Sequence, residues 1–195
     1  MSGDAIERIH RALIAGELAD EDLSARRIAR FLGKTTGVVY HHYGSVDRLL
    51  FEVSQLGYAA LRERLEGVAE RSGDLADLAA AFVEFGLDHP ELYPLMFERR
   101  YDWAALRAAG VFDAPTESGA LLTSMTCLLG DAGAVDPVAD GRLLVAGLHG
   151  LVSLAASGRA NAGALGTPDR DVAIAAARDL AQRIAPKKKK KGRSR

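Results

Sequence analysis

SARRIARFLGKTTGVVYHHYGSVDRLL, residues 24–50, is the stretch on which the reading of this 195-residue chain turns. Ala25, Ile28, Ala29 and Leu32 recur at i, i+3, i+4 and i+7, the spacing of one apolar helical face. Ser24 is placed to cap that helix, with Leu23 before it set to pack on Ile28. Gly33 follows the last apolar position, where a left-handed residue closes a helix. Thr35 is the next N-cap candidate and opens a short helix through TGVVYHH, which Gly44 stops; Ser45 caps the helix after it. Helix, tight turn and short second helix make a helix-turn-helix pattern, whose second helix enters the DNA major groove.

Val39 and Tyr43, four residues apart, are predicted to pack inward. Thr35, Thr36, Gly37, Tyr40 and His41 then point outward. All are hydrogen-bonding residues except Gly37, whose missing side chain lets backbone approach a surface. The helix N-terminus adds free N–H groups and a partial positive charge suited to a phosphate. Ser24, Lys34, Ser45 and Arg48, at the turn and the helix starts, complete the set expected to face DNA. The plainer alternative is a helical hairpin whose polar face is only solvated.

The wording of the stretch narrows the choice. Ile28-Ala29, Gly33, Thr35, Gly37, Tyr40, His42, Tyr43, Gly44 and Leu49-Leu50 closely resemble, at matching spacing, the DNA-binding signature of the tetracycline-repressor family of bacterial regulators. Three positions depart from it. Val46 stands where the family often has a phosphate-holding Lys, Lys34 where an apolar turn residue is usual, and Val38 where a Thr is frequent. These bear on operator sequence and affinity rather than on the domain.

Composition sets the outer bounds. Hydrophobic residues are 48% of the chain and charged residues 26%, an ordinary globular mix. No uninterrupted apolar run has the length of a membrane span, and MSGDAIERIH lacks a signal-peptide core, so the expected location is cytoplasmic with no membrane partner. The single cysteine, Cys127, excludes an intramolecular disulfide and leaves no Cys/His metal cluster. Seven of the 25 basic residues fall in positions 187–195, leaving eighteen against 26 acidic ones. Residues 1–50 hold seven of each sign, so the DNA-facing end lacks the expected basic excess.

Outward from the central stretch, Ile6, Ile9, His10, Leu13 and Ile14 mark a first helix across the pair, with His10 a packing residue. Leu49 to Val68 continue as one helix of about seven turns. Asp74 caps another, carrying Leu75, Leu78, Phe82 and Phe85 in phase until His89-Pro90 ends it. In ELYPLMFERR, Pro94 must kink or shorten the helix. Phe82, Phe85, Tyr93, Met96, Phe97, Tyr101 and Trp103 form the densest aromatic cluster, read either as core or as the wall of a pocket for an apolar small molecule. Two helices follow, 115–129 and 137–157. The second is apolar over most of its circumference, which suggests a subunit interface, with Ala146, Gly147 and Gly150 admitting a partner helix. Asn161–Pro168 reads as a flexible loop, a last helix runs to Ile184, and KKKKKGRSR as a disordered basic tail.

HPELYPLMF (89–97) and GLHGLVSLAASGR (147–159) resemble the C-terminal domain of the subgroup with a Trp/Leu-His-Gly element. The expectation is an all-α protein. It has a helix-turn-helix domain (1–50), an effector-binding and dimerising helical domain (51–185) and a tail (186–195). Candidate effector contacts are Phe82, Phe85, Tyr93, Met96, Phe97, Trp103, Met125 and His149. The resemblance implies a homodimeric regulator, a repressor in the leading reading, on a palindromic double-stranded operator, released by a small apolar effector, with no cofactor. Two other classes stand beside it. An enzyme would need the His89/His149 or Cys127/His149 pair, but no nucleophile motif, metal spacing or phosphate loop accompanies them. A sequence-tolerant architectural DNA binder would act through the tail.

Overall fold

The computed structural model describes residues 2–161 and 168–184; most of the loop expected at 161–168 and all of the basic tail lie outside them. The chain is all-helical. Its helices are α1 (Ser2–Ile14), α2 (Ala25–Phe31), α3 (Thr36–Tyr43), α4 (Val46–Arg71), α5 (Leu75–Asp88), α6 (Leu92–Phe97), α7 (Trp103–Ala108), α8 (Glu117–Ala132), α9 (Pro137–Ala156) and α10 (Asp169–Ile184), with a 3₁₀ turn at Asp20–Asp22.

Two compact units divide the chain. The first joins Met1–Arg62 to Asp88–Ala120; the second joins Glu63–Leu87 to Leu121–Arg195. In the first, Ile9, Leu13, Ile28, Val39, Leu49 and Leu50 are buried together under α1–α4, while α6 packs on α1 and on the 3₁₀ turn. Pro94 sits inside α6, which runs only six residues. Its carbonyls are bonded from α4 and from the segment after it. Tyr58 donates its hydroxyl to Met96 O, and Tyr101 donates to Leu95 O at 3.0 Å. Gly57 explains how closely α6 can lie: a Cβ there would stand 2.6 Å from Met96 Sδ and 3.3 Å from Leu92 Cδ1. Burial pushes the Tyr58 phenol up to about 12 and raises Tyr93 and Tyr101 as well, so all three stay neutral.

In the second unit α5 contributes a nearly continuous buried run, Ala76 and Leu78–Val83, followed by Phe85 and Gly86. Asp74 caps it through Ala76 N at 2.9 Å. α10 turns Ala173, Ala177 and Ala181, each fully buried, along one side, and pairs with α9. Gly147 belongs to that contact: a Cβ would lie 2.5 Å from Leu180 Cδ2. The small side chain expected to admit a partner subunit is therefore used within the chain. Gly150, by contrast, has nothing within 4 Å of its missing Cβ.

α9 is less covered than an all-round apolar helix requires. Only Gly141, Leu144, Leu148 and Val152 are buried, while Val138, Leu143 and Leu154 are 49%, 60% and 46% exposed. Among the described residues it is the one helix long and apolar enough, by length and composition, to cross a bilayer. Reading for an uninterrupted run missed it because Asp140 and Arg142 break its first turns.

Candidate nucleic-acid interface

The turn between α2 and α3 is built by its own backbone. Ser24 caps α2 by accepting from Arg27 N at 3.4 Å, and Arg27 pairs with Asp22 at 2.7 Å. At the other end Lys34 N donates to Ala29 O (2.8 Å) and Gly33 N to Arg30 O (3.0 Å). This paired closure requires a left-handed residue between them, and Gly33 supplies it at φ 67°. Thr35 has the extended backbone of an N-cap residue, but its side chain makes no capping bond. The hydroxyl is thus not spent on its own helix. Gly44, at φ 74°, ends α3, and Ser45 accepts from Arg48 N at 3.0 Å to start α4.

Burial sorts α3 into two sides. Val39 and Tyr43 are 1% and 5% exposed, as their spacing predicts. Lys34, Thr35, Thr36, Gly37, Tyr40 and His41 are exposed, as is Ser24 at the start of α2. Tyr40 keeps half its surface in solvent, and His41 meets His42 edge to face at 5.3 Å. Ser45 and Arg48 are half-buried, Arg48 lying 3.5 Å from Glu52. A side presenting hydroxyls, an imidazole and a bare backbone can donate to phosphates and to base edges.

The same unit carries a polar bridge that sequence reading missed. The Asp47 carboxylate, in the first turn of α4, accepts from Arg99 Nη2 at 3.2 Å and from Asp102 N at 3.1 Å. Glu91, just before α6, accepts from Asp20 N at 3.0 Å. Burial raises the Asp20 carboxyl against the pull of Arg99, and burial with the nearby His89 lowers His10. His10 Nε2 is buried without a partner. These partners lie 52 to 79 residues apart, and no local pattern announces them.

The candidate effector residues fall in both units. In the first, Tyr93 stacks on Phe97 at 4.6 Å, Tyr58 meets Phe97 at 5.2 Å, and Met96 is buried against Gly57. Trp103 is not buried: half exposed, it groups with Phe51, Tyr101 and Phe112. In the second, Phe82, Phe85 and Met125 are buried and His149 is half-buried. Among the described residues no group of three or more His, Cys, Asp or Glu could hold a metal.

The described chain is all-helical, and its short α2 and α3 pack together across a tight turn, the arrangement of a helix-turn-helix pattern. Residues 75–181 match the family model described as the tetracyclin repressor-like C-terminal domain, which spans more than half of the chain, and the protein belongs to that family of transcriptional regulators. A solved structure described as a protein with unknown function from Rhodococcus sp. RHA1 is similar over 90% of this chain and 95% of its own, at 25% identity and a TM-score of 0.60. No curated protein matches the chain.

Proposed function

We propose that the protein is a homodimeric, ligand-responsive transcriptional repressor of the cytoplasm, and that α3 is its recognition helix. The observation that carries the proposal is the division of α3: Val39 and Tyr43 are buried while Thr35, Thr36, Gly37, Tyr40 and His41 are exposed along it. A dimer that holds two such helices one DNA turn apart, about 34–36 Å, engages both halves of a palindrome at once. The exposed α9 residues Leu143, Ala146 and Leu154, with half-buried Gly150, supply the subunit contact in this reading.

An effector acts by binding one dimer geometry better than the other, since only differential affinity shifts the equilibrium. The effector is taken up by the C-terminal helices, through Phe82, Phe85, Met125 and His149 of the Leu-His-Gly-bearing domain. Within the first unit, α4 is tied to the segment around α6 by Tyr58 donating to Met96 O, Tyr101 donating to Leu50 O and Arg99 donating to Asp47. Footprinting on DNA retained by the protein tests this. Two protected half-sites, one helical turn apart on one DNA face, are expected; uniform protection without sequence preference would overturn it.

A further inference from the structure

A cavity lies within the first unit. It sits between α1 and the α2–α3 pair, measures about 420 Å³ and is lined by Asp4, Ala5, Arg8, Leu32, Lys34, Val38, Val39, His42 and Tyr43. That volume lies in the range that encloses small organic ligands. Its floor is apolar, with Leu32, Val39 and Tyr43 buried. Its charged lining is two cations, Arg8 and Lys34, against the one acid Asp4.

Neither cation has a carboxylate partner among the described residues. Among the described residues Arg8 has a 3.5 Å bond to Phe31 O and an approach over the Phe31 ring, and no ion pair with Asp4 one helical turn away. The Lys34 ammonium has no hydrogen bond or ion pair among the described residues. An apolar floor under two cations without carboxylate partners fits a ligand with a hydrocarbon body and an anionic head. A phosphate of DNA would satisfy the cations and leave the floor empty.

We propose that this cavity binds an amphipathic carboxylate. Bound there, it engages Lys34 at the entry to α3, so that ligand and DNA compete for one cation; this consequence rests on the DNA-binding reading above, whereas the binding site does not. The probe is octanoate, titrated calorimetrically into the full chain without DNA, with 1-octanol and octylamine as neutral and cationic counterparts. The expected result is octanoate binding that shifts the Val38 and Val39 methyl resonances. Arg8→Gln and Lys34→Gln should each weaken it about tenfold, the scale of one charge-assisted hydrogen bond, with octanol and octylamine binding more weakly still. Lys34 is exposed, and the bonds that close α2 use its backbone, so Lys34→Gln leaves the fold intact. Unchanged affinity in Lys34→Gln, equal binding of octylamine, or methyl shifts confined to other valines would overturn the proposal. Displacement of octanoate by inorganic phosphate at equal concentration would also overturn it, and would identify a seat for the DNA backbone. Because no DNA is present, a chain that binds octanoate but no operator separates the two readings.

Discussion

Tyr40 projects a ring and a hydroxyl from α3 with half its surface in solvent, so removing the hydroxyl costs the fold nothing. Tyr40→Phe should weaken operator binding by about 1 kcal/mol, roughly fivefold, if that hydroxyl meets DNA; an unchanged titration by fluorescence anisotropy would remove it from the interface. His10 belongs to stability instead. Its pKa is lowered from the ordinary 6.5, first by burial and then by His89, so the unfolded chain takes up a proton more readily than the folded one. The folded protein therefore loses stability as pH falls through about 6.5 toward the lowered value. His10→Leu should flatten the dependence of the melting temperature on pH between 7.5 and 5.5, and an identical slope would contradict this role. The sequence made part of this legible. Val39 and Tyr43 were readable as inward residues because a period of four is local. The Asp47–Arg99 bridge was not, because its partners are 52 residues apart and each reads alone as a surface charge.

At the scale of elements, α6 is decided by two residues that the sequence exposes and by one contact that it does not. Pro94 limits its length and Pro90 closes the segment before it. Gly57 sits in the middle of a long helix, where glycine is a poor choice, and only the approach of Met96 and Leu92 explains it. Gly57→Val should cost about 1–3 kcal/mol through overpacking, read as a lower denaturant midpoint with an unchanged slope; Met96 can move aside, which sets the lower end. Gly150→Ala, also inside a helix but with open space for the Cβ, should instead raise the midpoint by up to about 1 kcal/mol of helix propensity, so the opposite signs separate overpacking from propensity. Gly147 has a use within the chain that no local pattern announces. Read from sequence it invites a partner subunit, and in the fold it lets Leu180 of α10 approach. A substitution such as Gly147→Leu would disturb the α9–α10 pair first and could not report on assembly.

For the whole molecule, the all-helical class followed from apolar periodicity and from the punctuation at Gly33, Gly44, Asp74 and Pro90. That residues 88–120 form one unit with residues 1–62 did not follow, since no local signal links segments separated by α5. Assembly is proposed to use α9. Leu143 and Leu154 are 60% and 46% exposed although the helix is predominantly apolar. Leu143→Glu with Leu154→Glu should place charges in a dry contact and yield monomers by sedimentation, with helicity retained; an undisturbed dimer would move the interface elsewhere. The charge distribution adds a condition on DNA binding. Residues 1–50 are neutral overall, while seven positive charges stand in positions 187–195. The measurement that tests the central claim most directly is selection of random duplex DNA, at near-physiological salt, by the full chain and by the chain ended after Ala185. A shared palindromic motif from both, with weaker retention by the shortened chain, is the predicted result. Retention by the full chain alone, without any motif, would contradict it and assign DNA binding to the basic tail.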